Sequence, residues 1–108
     1  MAENFTNARS VLQTTDTTIY TCPADTKAIV IGCQVSNVSA TSKNLSLWWT
    51  DSSDTNSVTR LGELIAIPTQ SVYEPISGKL VLEAGDTIVG TSSVNDDLEA
   101  TLSVLELS

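Results

Sequence analysis

The chain has 108 residues, with 13 acidic against 5 basic side chains, a net charge of -8 and no histidine. That length fits one domain. The acidic balance argues against nucleic acid and anionic membranes as partners, and the missing histidine removes Ser-His-Asp and Cys-His nucleophiles and the common His-based metal sites.

In chain order, residues 1–8 carry no pattern and read as an N-terminal arm, ahead of a domain over residues 9–108. Arg9 to Gln13 is a short first strand. Thr17 to Cys22 alternates and stops at Pro23. Ile29, Ile31, Cys33 and Val35 then fall on one face, with Val30, Gly32, Gln34 and Ser36 on the other, the pattern of a half-buried strand. Leu45, Leu47 and Trp49 alternate with Ser46, Trp48 and Thr50, and Asp51 to Ser57 is a polar loop. Val58 to Ile67 is a longer run closed by Pro68, and Val72-Tyr73 is a short piece before Pro75. Lys79 to Glu83 and Thr87 to Gly90 flank Ala84-Gly85-Asp86, a tight-hairpin signal. After the turn Asn95-Asp96-Asp97, Leu98, Ala100, Leu102 and Val104 alternate with Glu99, Thr101, Ser103 and Leu105.

With 41% hydrophobic residues in ordered runs and only 17% charged, the chain has the means to fold. About eight short antiparallel strands predict an all-β sandwich, jelly-roll or immunoglobulin-like. The N-terminus lacks the basic and apolar regions of a secretory signal, so synthesis in the cytosol without export by a standard signal is expected. A hairpin about Pro23-Ala24-Asp25-Thr26 would set Cys33 opposite Asp16 and away from Cys22. Two reduced thiols are therefore expected, with Cys33 in the core.

Four residues stand out as candidate partner contacts. Trp49 shares its face with Leu45 and Leu47, which leaves Trp48 pointing outward. Leu105 and Leu107 lie on the face opposite Leu102 and Val104, so the last strand is either central in its sheet or covered by a neighbour. Phe5 is the aromatic residue of the arm. The acidic loops (Asp51, Asp54 and Asn56; Asp96 and Asp97) lack the Gly and Glu of a calcium loop and read as solvated turns, with no metal ligand assigned. No carboxylate sits in an apolar run, and no phosphate loop, dinucleotide fingerprint or Cys-x-x-Cys occurs, so neither catalytic residues nor a cofactor are expected.

Thr17-Thr18-Ile19-Tyr20-Thr21-Cys22-Pro23-Ala24 followed by Ala28-Ile29-Val30-Ile31, and Leu80-Val81-Leu82-Glu83-Ala84-Gly85-Asp86-Thr87-Ile88, resemble segments of small virion structural proteins of tailed bacteriophages, including those of cyanobacteria. The resemblance spans roughly residues 8 to 107, with Asp25 standing where that opening commonly has Gly. It implies a non-enzymatic all-β protein mounted in many copies on a virion. On that basis the leading expectation is a capsid decoration (cement) protein. It would bind the major capsid protein or another virion protein through Phe5, Trp48, Leu105 and Leu107, as a homo-oligomer guessed to be a trimer. A tail, baseplate or fibre component is the alternative. A carbohydrate-binding module stacking a sugar on Trp48 is a third reading.

Overall fold

β-branched residues alternating with small polar ones suit a pleated, half-buried surface. The computed structural model describes residues 3–76 and 78–108 and forms nine strands from them. They are β1 (Glu3–Leu12), β2 (Thr17–Thr21), β3 (Lys27–Asn37), β4 (Lys43–Asp51), β5 (Ser57–Ile67), β6 (Val72–Tyr73), β7 (Leu80–Leu82), β8 (Thr87–Ser92) and β9 (Leu98–Leu107). Helical structure among the described residues is one 3-10 turn, Ser52–Asp54.

Two antiparallel sheets result. Sheet A has the order β1-β9-β3-β6, with β7 also on β3; sheet B has the order β2-β8-β4-β5. The pairs nest: β1 with β9, β2 with β8, β3 with β7 and β4 with β5, all about the Ser52–Asn56 loop. One long hairpin rolled so that its limbs alternate between two sheets is a jelly roll. That pairing selects the jelly roll from the two sandwich types left open by the strand pattern.

The nesting corrects several local expectations. Among the described residues, only β4 and β5 are sequence neighbours that pair with each other. β2 and β3 lie in different sheets, as do β7 and β8, so Pro23–Thr26 and Ala84–Asp86 are corners between sheets and not hairpins. Alternation tells which face of a strand is buried; it carries no information on which strand lies alongside. At the first corner Asp25 takes a φ of 57°, the left-handed region that Gly would favour. At the second, Gly85 has φ 89°, and a Cβ there would meet Ser52 Oγ at 2.8 Å.

Residues 3–8, read as an arm, are the first part of β1 and are paired in register with β9 from Glu3↔Leu107 onward. Met1 and Ala2 lie outside the described residues. Polar side chains hid this strand: its alternation is Asn4, Thr6, Ala8 and Ser10 against Phe5, Asn7, Arg9 and Val11. β9 is thereby a central strand, between β1 and β3.

The face assignment of β3 is also corrected. A register shift between Val30 and Gly32 turns the strand by one residue. Ala28 and Val30 are buried before it and Cys33, Val35 and Asn37 after it, while Ile31 is exposed. The core lies between the sheets, with Leu12, Val30, Val35, Leu98, Leu102 and Val104 from sheet A meeting Leu45, Leu47, Ile67 and Ile88 from sheet B. Trp49 packs against it, half-buried.

Three buried polar ties hold the layers. Tyr20 Oη, on β2, donates to Glu106 Oε2 on β9 at 2.5 Å. Burial first, and the Glu106 carboxylate second, push the Tyr20 phenol well above its ordinary pKa. Asn37 Nδ2 donates to the carbonyls of Thr41, Ile67 and Pro68. Asp86 accepts from Glu83 N, Ser52 N, Ser52 Oγ and Trp49 Nε1, which ties the β7–β8 corner to the end of β4.

Candidate assembly surfaces

The alternation that buries Leu98, Ala100, Leu102 and Val104 turns Leu105 and Leu107 to the outer face of sheet A. Register then decides what lies beside them. Phe5 of β1 is opposite Leu105, Leu105 is opposite Ile29 of β3, and Ile29 is opposite Val81 of β7. One apolar row thus crosses four strands on the outside of the sandwich. Its two ends are bare: Phe5 is 70% exposed and Val81 59%. Leu107, between Glu3 and Lys27, and Ile31, pushed out by the β3 bulge, extend the patch. Phe5, Asn7, Ile31 and Ser103 line a shallow groove within it. Cross-strand apolar neighbours stabilise a sheet, but the bare ends of this row keep apolar area in water.

The outer face of sheet B is finished differently. Its matching row is Thr18, Val89, Trp48 and Arg60, opposite one another across β2, β8, β4 and β5. The Arg60 guanidinium lies 4.9 Å above the Trp48 ring, a cation–π contact. Val89 is only 8% exposed although it lies outside the core cluster. Trp48 therefore points outward as its position predicts, but one ring face is taken by the protein's own arginine. Of the four residues singled out from sequence, Phe5, Leu105 and Leu107 come together on sheet A, and Trp48 is on the opposite sheet. Ile29, Ile31 and Val81 were missed. Ile29 and Ile31 were given to the core face, because a bulge inside an unbroken apolar run leaves no mark in the sequence.

The acidic loops also resolve into local roles. Asp51 Oδ1 accepts from Ser53 N and Ser53 Oγ and caps the 3-10 turn. Asp54 accepts from Ser57, Asp96 from Gln13, and Asp97 pairs with Lys43. Carboxylate oxygens of Asp51, Glu83 and Asp86 come within 4.8 Å of one another. Burial alone would raise the Asp86 pKa; the bonds from Glu83 N, Ser52 and Trp49 outweigh it and hold the carboxyl below its ordinary value. Both of its oxygens are occupied by these donors, so this carboxylate serves as a turn anchor.

Cys22 and Cys33 are free and buried. Burial, with a smaller push from Glu74, raises the Cys33 thiol to about 12. Burial, then Asp86 and Glu106, raises Cys22 as well. Neither is poised as a thiolate nucleophile.

The fold has counterparts among solved structures. No protein-family model and no curated protein sequence matches the chain. A chain of the disulfide-linked pili that form Bacillus endospore appendages superposes with a TM-score of 0.59 at 12% identity, over 99% of this chain and 87% of that one. A chain of the acid-stable capsid of Helicobacter pylori bacteriophage KHP30 superposes with a TM-score of 0.58 at 10% identity, over 100% of this chain and 94% of that one. A chain of the T13 particle of infectious bursal disease virus gives a TM-score of 0.58 at 9% identity, and there the match is to 30% of the longer chain. At these identities the likeness is one of fold.

Proposed function

We propose that this is a non-enzymatic virion structural protein, a capsid decoration protein that binds the capsid lattice through the outer face of sheet A. The row Phe5–Leu105–Ile29–Val81 carries the reading. An exposed apolar row on a protein of net charge -8 is a contact surface, because the charge opposes non-specific aggregation through the row while the row gains by being covered. A surface laid across the junctions of an assembled lattice stabilises that lattice by mass action. The likeness in fold to a chain of the KHP30 capsid supports this setting.

The test is location and binding. Virions separated into heads and tails should carry the protein in the heads, and purified protein should rebind heads stripped of it. Recovery in tails alone sinks the decoration role in favour of a tail, baseplate or fibre component. The likeness to a disulfide-linked pilus chain suggests another use of the fold, but both thiols here are buried. Native protein should leave a thiol reagent unreacted that labels both cysteines after unfolding; rapid native labelling would reopen that reading.

A further inference from the structure

Four strands or strand pairs edge this sandwich, and three are unsuited to pairing with another chain. β6 and β7 span two and three residues. β2 has five residues and a register shift between Thr18 and Tyr20. β5 is long, but two register shifts break its pairing with β4, and Leu64 within it takes a φ of 50°. Such interruptions keep an edge from templating a neighbour. β1 lacks them: its ten residues pair with β9 from Glu3 to Leu12 without a shift, and no other described strand pairs with its far side.

We propose that β1 is a homodimer edge, and that a second copy of this chain adds its own β1 in antiparallel register across a two-fold axis at Thr6. The sequence of the strand is complementary to itself in that register. With Thr6 opposite Thr6 of the second copy, Phe5 lies opposite Asn7, and Glu3 lies opposite Arg9 on both sides of the axis. Glu3 and Arg9 are exposed, and neither has an ion-pair partner among the described residues. They share the face that carries Phe5, as alternation requires. Opposed residues have the same parity, so each pair either turns its backbone groups to the partner or turns them back to β9, and the hydrogen-bond ladder closes without a bulge.

A two-fold contact of this kind is closed, which limits assembly to a dimer and forbids an open filament. It joins the two five-stranded sheets into one. It also sets Phe5 of each copy diagonally across from the other, within reach for aromatic rings, so the two apolar rows become one stripe. The dimer is an alternative to the expected trimer and does not depend on where the protein is mounted.

The full-length chain is tested by sedimentation equilibrium, with far-UV circular dichroism as the check on folding. Wild type should be a dimer at micromolar concentration. Glu3→Arg and Arg9→Glu each set like charges opposite one another at two symmetric places and should weaken the dimer about tenfold or more. The double variant Glu3→Arg/Arg9→Glu should restore it. Thr6→Cys should form an intermolecular disulfide under mild oxidation, because directly opposed residues lie about 4.5–5.5 Å apart and a shift of two residues would carry them out of range. A monomeric wild type, an oligomer indifferent to the single reversals, or reversals that the double variant fails to rescue would overturn the dimer. Absence of the Thr6→Cys cross-link would overturn the register.

Discussion

The two outer faces of the sandwich are built from different strands with the same alternating pattern, yet they end in opposite states. Sheet A presents Phe5, Leu105, Ile29 and Val81 in one row with bare ends; sheet B presents Thr18, Val89, Trp48 and Arg60, where the large apolar ring is capped from within. The comparison shows that an outward aromatic is not by itself a contact site. What decides is whether the neighbouring strands supply a cover. On sheet B the edge strand brings an arginine to the ring, and on sheet A the edge strands bring a phenylalanine and a valine that need covering themselves.

The largest effect should come from breaking the sheet A row. Phe5→Asp combined with Val81→Asp should lower affinity for the assembled particle by about 100-fold or more, since each change removes an exposed apolar side chain that binding would cover and sets a charge in its place. Thr18→Asp with Thr91→Asp on sheet B should leave binding unchanged, measured by co-sedimentation with stripped particles. Equal losses from both pairs would erase the difference between the faces.

Asp86 tests the part common to both sheets, since its bonds join the β7–β8 corner to β4. Asp86→Ala strands several buried donors and should cost about 3 kcal/mol in denaturant unfolding. Its folded-state pKa lies below the ordinary 3.8, so its stabilisation is complete above that value. It is lost as the pH falls through the lower folded-state value, and Asp86→Asn should flatten that acid limb of the stability profile.

Trp48→Ala sharpens the comparison further. It should cost about 2 kcal/mol through lost packing against Val89 and Arg60, with particle binding unchanged. The smallest effect expected is for Arg60→Ala, about 0.5–1 kcal/mol from the cation–π contact. If Trp48→Ala abolished binding and left stability intact, the capped face would be the functional one.

Much of the strand content was readable because burial on one face imposes period two, as in Leu45-Leu47-Trp49 and Leu98-Ala100-Leu102-Val104. β1 escaped because its inward positions are Asn4, Thr6, Ala8 and Ser10, which look like loop residues when read alone. The candidate surface was half legible. Leu105 and Leu107 could be placed by alternation from the buried positions of β9, but Ile29 and Ile31 sit in a run apolar on both faces, and a single-residue bulge changes the buried set from Ala28 and Val30 to Cys33 and Val35, leaving both isoleucines outside. Val81 belongs to a three-residue strand whose outer face becomes part of the row only through its pairing with β3.

Sequence by itself determined that this chain is an all-β sandwich with an acidic, hydroxyl-rich surface and no histidine chemistry, because those follow from composition and from local alternation. It also marked chain reversals at Pro23 and Gly85, which it read as hairpins and the sheet order turned into corners, and the outward aim of Trp48. Tertiary structure decided the nested pairing, the inclusion of residues 3–8 in β1, the meeting of Phe5 with Leu105, Ile29 and Val81, and the capping of Trp48 by Arg60. The reason is range. Periodicity is set by each residue's immediate neighbours, whereas the partners of β1 and β7 lie far along the chain and are chosen by the one packing that buries every inner face at once.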